Sequence, residues 1–298
     1  MVIGLFGDEY DKCVGLLKQR IEDLGHKAII INLKYLPRVT RATLDGEGII
    51  CDGYNLFEMG SFYLREMEVR APFFHVTYTR ELWIMLRERY LSFEADEIEN
   101  VFFAHNLLEI LAAKNLIINP PQVYSHRRLM PFHLSFFAQR GFSIPPFTVG
   151  AVEDLRVKGF EEELPLNLDE ERVFDVLSFP KGKEKGMRIW RKKIAGTIYK
   201  VTFLKDRLLN DALAVLKGKV KPHKIKRKEL PKGVGETALK AAKIMEAKFA
   251  EVELLYSAKE GIVWLLQVDP SPDFYKLEKV YGLPISEPLA RYLVDVAC

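Results

Sequence analysis

The sequence predicts an α/β fold whose C-terminal core is α+β, built as a small parallel α/β domain over 1–118 followed by a second domain over 119–298. Three observations predict it. Near the N-terminus an apolar strand, an amphipathic helix and a second apolar strand follow one another as a βαβ unit, which calls for a parallel sheet. Asn119-Pro120-Pro121 breaks the chain directly after an apolar strand, as a domain boundary does. Near the C-terminus an apolar run at helical spacing leads into two strand-length runs joined by Ser257-Ala258-Lys259-Glu260-Gly261, a helix followed by a hairpin.

Taken in order, Val2 to Gly7 is a short apolar strand and Asp11 to Leu24 an amphipathic helix. Gly25 stops that helix, and Lys27 to Leu33 is the second strand. Gly48 to Gly53 reads as a third strand, which puts the loop Tyr54 to Ser61 at a carboxyl edge of the sheet, where α/β folds hold ligands. Gly4 and Gly7 match neither the dinucleotide fingerprint nor the P-loop spacing and receive no nucleotide role. Arg80 to Tyr90 and Ala95 to Lys114 read as helices, and Leu116 to Ile118 as a strand running into the Pro-Pro break. His75, His105, His126 and His133 share no spacing and lie among apolar residues, the setting of core histidines more than of metal ligands.

In the second part, Leu129 to Arg140 is a helix, Glu161 to Arg172 an acidic surface loop, and Arg172 to Phe179 a strand. Pro180 to Gly186 is a basic, glycine-containing loop, and Arg188 to Ile194 and Ile198 to Leu204 are strands. Lys217 to Lys232 is densely basic. Glu236 to Phe249 is a helix, with Ala238, Ala241, Ala242, Met245 and Phe249 on one side. Val252 to Tyr256 and Ile262 to Asp269 form the hairpin, closed by Pro270-Ser271-Pro272. Side chains alternate along a strand, so Gln267 and Asp269 share a face, and Glu253 lies opposite them if the hairpin pairs across its five-residue turn. Three oxygen donors then converge, the ligand type that Mg²⁺ takes. A core hairpin with Asp269 opening a turn is the alternative.

Hydrophobic residues at 48% and charged residues at 29% describe a soluble globular chain, and a net charge of +3 does not by itself call for nucleic acid. The three cysteines are far apart, without metal or disulfide spacing. No apolar run reaches the roughly 18 residues of a membrane span, and the N-terminus enters a strand directly, so the expected location is cytoplasmic. Sparse Asn and Gln beside abundant Lys and Glu lean toward a thermophile.

The segment from Glu253 through Gln267-Val268-Asp269-Pro270-Ser271-Pro272 resembles the last catalytic segment of the ATP-grasp superfamily in its RimK-like, glutamate-ligase branch. The run from Asn119 to Thr148 resembles the entry to the same core, and Leu277, Glu278, Gly282, Ile285, Leu289 and Leu293 match the way those proteins end. The resemblance implies a shortened ATP-grasp domain after the N-terminal domain, with a reduced central subdomain at about 146–195. It implies ATP and Mg²⁺ as cofactors, with Glu253, Gln267 and Asp269 holding the metal. Lys181, Lys192 and Ile194 would contact the nucleotide, Lys200 would stabilise the transferred phosphoryl group, and Ser271 would lie near the acceptor. The chain departs from the family pattern at Glu253, Gln267 and Asp269, where Asp, Glu and Asn are usual. It departs again at Met130, where a phosphate-contacting lysine is usual, and at Lys200, where arginine is usual.

Three functions follow. One is an ATP- and Mg²⁺-dependent carboxylate–amine ligase that works through an acyl phosphate on a small-molecule or peptide-like acceptor, self-associating as RimK-like proteins commonly do. A second is a degenerate relative that binds an anionic ligand or a protein without turning over ATP. The third is a nucleic-acid-binding module using the basic run 217–232.

Overall fold

The computed structural model describes residues 1–33, 42–44, 48–51, 53–65, 102–114, 116–128, 130–151, 160–163, 187–216 and 222–297. The N-terminal half carries the expected βαβ unit. β1 (Val2–Phe6) and β2 (Lys27–Ile31) are parallel neighbours joined by α1 (Lys12–Asp23). Asp11 caps α1 by accepting from the Cys13 and Val14 amides, satisfying two donors that the first turn leaves unpaired. Gly25, at φ 83°, turns the chain out of the helix, a conformation that costs a side-chain-bearing residue far more.

The third strand of this sheet differs from the sequence expectation. Ile49–Cys51 forms instead the middle strand, β4, of a small antiparallel sheet with β3 (Ala42–Leu44) and β5 (Tyr54–Asn55). Ser61–Leu64, at the end of the expected loop, is β6, which pairs in parallel with β1 and with β7 (Ile117–Ile118) to give the order β2-β1-β6-β7. All four residues of β6 are buried, so the strand lacks the alternation that would have marked it. Helix α2, over 102–113, packs Ala104, Leu107, Leu108 and Leu111 into the core beside it. The helix expected over 80–90 and the strand over 172–179 lie outside the described residues.

After β7 come α3 (Pro121–Arg128) and α4 (Met130–Gln139), two helices where one was expected. β8 (Phe147–Ala151), β9 (Phe160–Glu163) and β10 (Met187–Lys192) form a small antiparallel sheet ordered β8-β10-β9. The start of the expected acidic loop is thus strand β9. The larger sheet is antiparallel and combines β11 (Thr197–Leu204), β12 (Arg207–Leu216), β13 (His223–Lys226), β14 (Phe249–Ser257) and β15 (Ile262–Asp269) in the order β13-β12-β11-β14-β15. Its inner face, with Val201, Phe203, Val252, Leu254, Leu265 and Val268, packs on Val234, Ala238, Ala241 and Ala242 of α5 (Val234–Ile244). α6 (Phe274–Tyr281) and α7 (Ser286–Ala297) then return to the N-terminal half, where Leu289, Ala290 and Leu293 share a core with Ile3, Leu5, Val14 and Leu17. The last helix therefore closes the first sheet.

Candidate functional site

The register of β11, β14 and β15 arranges the polar residues of the outer face in rows, because residues directly opposite one another on neighbouring strands point the same way. Lys200 pairs with Glu253, and Glu253 with Gln267. One step along, Thr202 pairs with Glu251 and Glu251 with Asp269. Beyond the first row the face turns apolar: Leu255 pairs with Trp264 and packs with Ile194 and Leu266, against which Ile198 lies. Beyond the second row Leu204 pairs with Phe249, both buried in the core shared with the N-terminal half. A bulge between Glu253 and Leu254 admits Leu266 as an extra residue in β15. Bulges re-aim side chains beside functional sites, and here Leu266 and Gln267 both serve the outer face.

Glu251, Glu253, Gln267 and Asp269 are each at most 5% exposed. Lys200 is the cationic member. Its ammonium lies 3.0 Å from Glu251 Oε1 and 3.4 Å from Glu253 Oε2. Burial alone would lower the lysine pKa, but the two carboxylates hold it above its ordinary value. Burial raises the Glu251 carboxyl, helped by the charges of Glu253 and Asp269 and outweighing the pull of Lys200. Among the described residues the cluster therefore sets three carboxylates against one ammonium, a surplus of negative charge suited to a cation.

Among the described residues no three His, Cys, Asp or Glu side chains close into a metal cage. Mg²⁺ needs none, since it usually takes one or two carboxylates and fills its octahedron with phosphate and water oxygens. Gln267 Oε1 is buried and has no hydrogen-bond partner among the described residues, an unspent oxygen on the same row as Glu253. The donor set thus fits a hard divalent cation.

Neighbouring elements hold this strand end from outside the sheet. On the edge of β15 that pairs with no further strand among the described residues, the Val268 amide, between Gln267 and Asp269, donates to His133 Nε2 of α4 at 3.1 Å. The Leu265 amide donates to the Ser143 carbonyl at 2.9 Å. His133 therefore supplies the acceptor that a neighbouring strand would otherwise offer. Asn119 donates to the Phe249 and Pro270 carbonyls and accepts from the Lys248 and Phe249 amides, so it ties β14 to the turn after β15. Ser271 is 1% exposed, with its hydroxyl engaged by Arg65.

Of the residues singled out in the sequence, Glu253, Gln267, Asp269 and Lys200 come together on one face. Ile194 lies on the apolar flank of that face. Lys192 pairs with Phe160 of β9, its amide donates to the Pro146 carbonyl, and its side chain points to solvent. Lys181 lies outside the described residues. Within the basic run, Lys224 and Lys226 both pair with Asp211 of β12. Glu251 was missed. The helical spacing ran on through Phe249, whereas α5 stops at Ile244, Glu246 takes a left-handed φ of 59°, and β14 begins at Phe249. Extending the alternation back from Glu253 would have found it.

No protein-family model and no curated protein sequence matches the chain. Solved structures do. The chain is similar to the ATP-grasp ligase PsnB in complex with a minimal precursor, Mg and ADP, at a TM-score of 0.75 and 16% identity, covering 99% of this chain and 98% of that one. It is similar to the macrocyclase MdnC bound with precursor peptide MdnA from Microcystis aeruginosa MRC, at a TM-score of 0.71 and 15% identity over 99% and 100% of the chains. A RimK domain ATP-grasp protein from Sphaerobacter thermophilus DSM 20745 follows at a TM-score of 0.52 and 12% identity over 99% and 100%. The fold is that of these ATP-grasp structures, and the likeness covers 99% of the chain.

Proposed function

We propose that the chain is an ATP- and Mg²⁺-dependent carboxylate–amine ligase acting on a peptide-like partner. The observation that carries this reading is the face shared by β11, β14 and β15, where an apolar patch around Ile194, Leu255 and Leu266 adjoins a buried row of oxygen donors with one cation beside it. An apolar floor suits an adenine ring, and the adjacent donor row suits a metal held between protein and phosphate oxygens. Structures of the same fold include one complexed with ADP and Mg and others with precursor peptides, which supports this choice of cofactor and partner.

Mg·ATP, when bound, would supply the phosphoryl group that activates the substrate carboxylate, with release of ADP; the amine would then displace phosphate from the acyl phosphate and give up a proton. Glu251, Glu253, Gln267 and Asp269 supply oxygens on the metal side. Lys200 keeps a fixed positive charge beside the reacting phosphate, where electrostatic positioning accounts for most of phosphoryl-transfer catalysis. Its ammonium rests between Glu251 and Glu253, two of the residues whose oxygens would hold the cation.

Thermal melting with and without Mg·ATP tests the proposal. Ligand at about a hundred times its dissociation constant adds roughly 2.7 kcal/mol, several degrees in melting temperature. No shift at millimolar Mg·ATP overturns the reading. A second reading, nucleotide binding without turnover, is favoured by Lys200 occupying the cation's place and by an amide at Gln267. A melting shift with no release of ADP in the presence of candidate peptides selects it.

A further inference from the structure

We propose that Arg65 is a positioning residue for Asp269, acting through Ser271; the proposal rests on the ligase reading above. Arg65 follows β6 at the carboxyl edge of the parallel sheet, where α/β folds build their sites. Its guanidinium is buried, with Nε and Nη1 engaged. Nε donates to Asp11 Oδ2 at 3.0 Å, and Nη1 fans across the Ser271 hydroxyl at 2.6 Å, the Ser271 carbonyl at 2.6 Å and the Pro272 carbonyl at 2.8 Å. The Ser271 hydroxyl donates back to the Arg65 carbonyl at 2.5 Å, so the two residues are locked reciprocally. With Ser271 fixed, its amide donates to Asp269 Oδ1 at 2.9 Å.

The relay is anchored at its far end. Asp11 spends Oδ1 on the cap of α1 and Oδ2 on Arg65. Although burial pushes the Asp11 carboxyl up, the guanidinium holds it below its ordinary value, so it stays an anion beside Arg65. Gly7, which has no phosphate role, makes room for this arrangement: a Cβ there would sit 2.7 Å from Val14 Cγ2 and 3.2 Å from Arg65 Cβ. The chain Asp11–Arg65–Ser271–Asp269 thus runs from the first helix to the donor row. The hydrogen bond on Oδ1 holds the Asp269 carboxylate in one orientation at the end of β15. Such outer partners of a metal ligand change affinity by about 10–100-fold when removed.

The full-length chain is tested as Ser271→Ala, Arg65→Lys and the double variant. ADP affinity is measured by calorimetry with saturating Mg²⁺ and with EDTA, and amide exchange at position 271 is followed by NMR without ligand. The expected result is a loss of about tenfold in the Mg²⁺-dependent part of ADP affinity in each single variant, with metal-free ADP binding unchanged. The double variant is expected to be no worse than either single one, as for residues acting in series. Exchange at position 271 is expected to quicken about tenfold in Arg65→Lys while the amides of β14 stay protected. A purely structural role lowers the melting temperature without touching the Mg²⁺ dependence, and that result overturns the proposal. If the wild-type chain binds no ADP with or without Mg²⁺, the ligase reading falls. Exchange at position 271 then decides the positioning claim, and unchanged protection in Arg65→Lys overturns it.

Discussion

Replacing Lys200 by methionine keeps much of the side chain's bulk and removes the one described cation within reach of Glu251 and Glu253. The lysine side chain is 21% exposed and both carboxylates are buried, so water cannot substitute fully for the lost ammonium. Removing one partner of a buried ion pair costs about 3–5 kcal/mol. At roughly 2–4 °C per kcal/mol for a chain of this order, the melting temperature at neutral pH should fall by roughly 6–20 °C. The loss has a pH signature. Glu251 already sits above the ordinary carboxylate range, so the folded state holds its proton more tightly than the unfolded chain and stability declines as pH rises through its folded pKa. Without Lys200 that shift widens, so the deficit is largest at neutral and alkaline pH and shrinks on acidification. The lysine's own raised pKa contributes stability that persists until pH climbs beyond it, outside the working range. Differential scanning calorimetry from pH 5 to 9, with and without millimolar Mg²⁺, reads both effects, and Mg²⁺ alone should raise the variant's melting temperature more than the wild type's. A deficit equal at pH 5 and pH 8, together with equal Mg²⁺ shifts, refutes the assignment of these oxygens to a cation.

Gln267→Glu adds a fourth carboxylate to a cluster that, among the described residues, already sets three against one ammonium, so the metal-free protein should melt lower, with calorimetry showing tighter Mg²⁺ binding than in the wild type. His133→Leu leaves the buried Val268 amide without its acceptor and should cost roughly 1–3 kcal/mol in urea unfolding. His133→Gln offers another acceptor and should recover most of that loss. Asn119→Ala strands four backbone groups at once, a loss of roughly 4 kcal/mol or more by the same reckoning, seen as a large drop in the urea midpoint.

The βαβ start and the C-terminal hairpin were legible because each depends on a local period, 3.6 for α1 and 2 for β14 and β15. The alternation that put Gln267 and Asp269 on one face needed no tertiary information. The bulge did: nothing in Leu265-Leu266-Gln267 marks where the period slips, and the slip brings Leu266 to the apolar patch. Strand partners were equally hidden, since Ile49–Cys51 and Ser61–Leu64 are both short buried runs and only one joins the parallel sheet. Glu251 was lost at a boundary without glycine or proline, where Glu246 takes the left-handed turn that glycine usually marks. The contact of Lys200 with the acidic rows comes from cross-strand register, which no single segment encodes.

Packing of the two sheets bears directly on the candidate chemistry. Asp269 is the last residue of β15, and strand hydrogen bonds cannot hold the turn that follows it. That turn is held by Arg65 from the parallel sheet and by Asn119 from the end of β7, both reaching across the junction. The outermost donor of the row is therefore only as well placed as the contact between the sheets, whose shared core combines Tyr63, Phe249 and Phe274 edge to face. A substitution that loosens this aromatic trio, such as Phe274→Ala, removes none of the oxygen donors. It should nonetheless weaken Mg²⁺-dependent ADP binding more than metal-free binding, because the slack it creates arrives first at Ser271 and Asp269. Equal weakening of both would mean that the N-terminal half supports the fold without setting the geometry of the metal row.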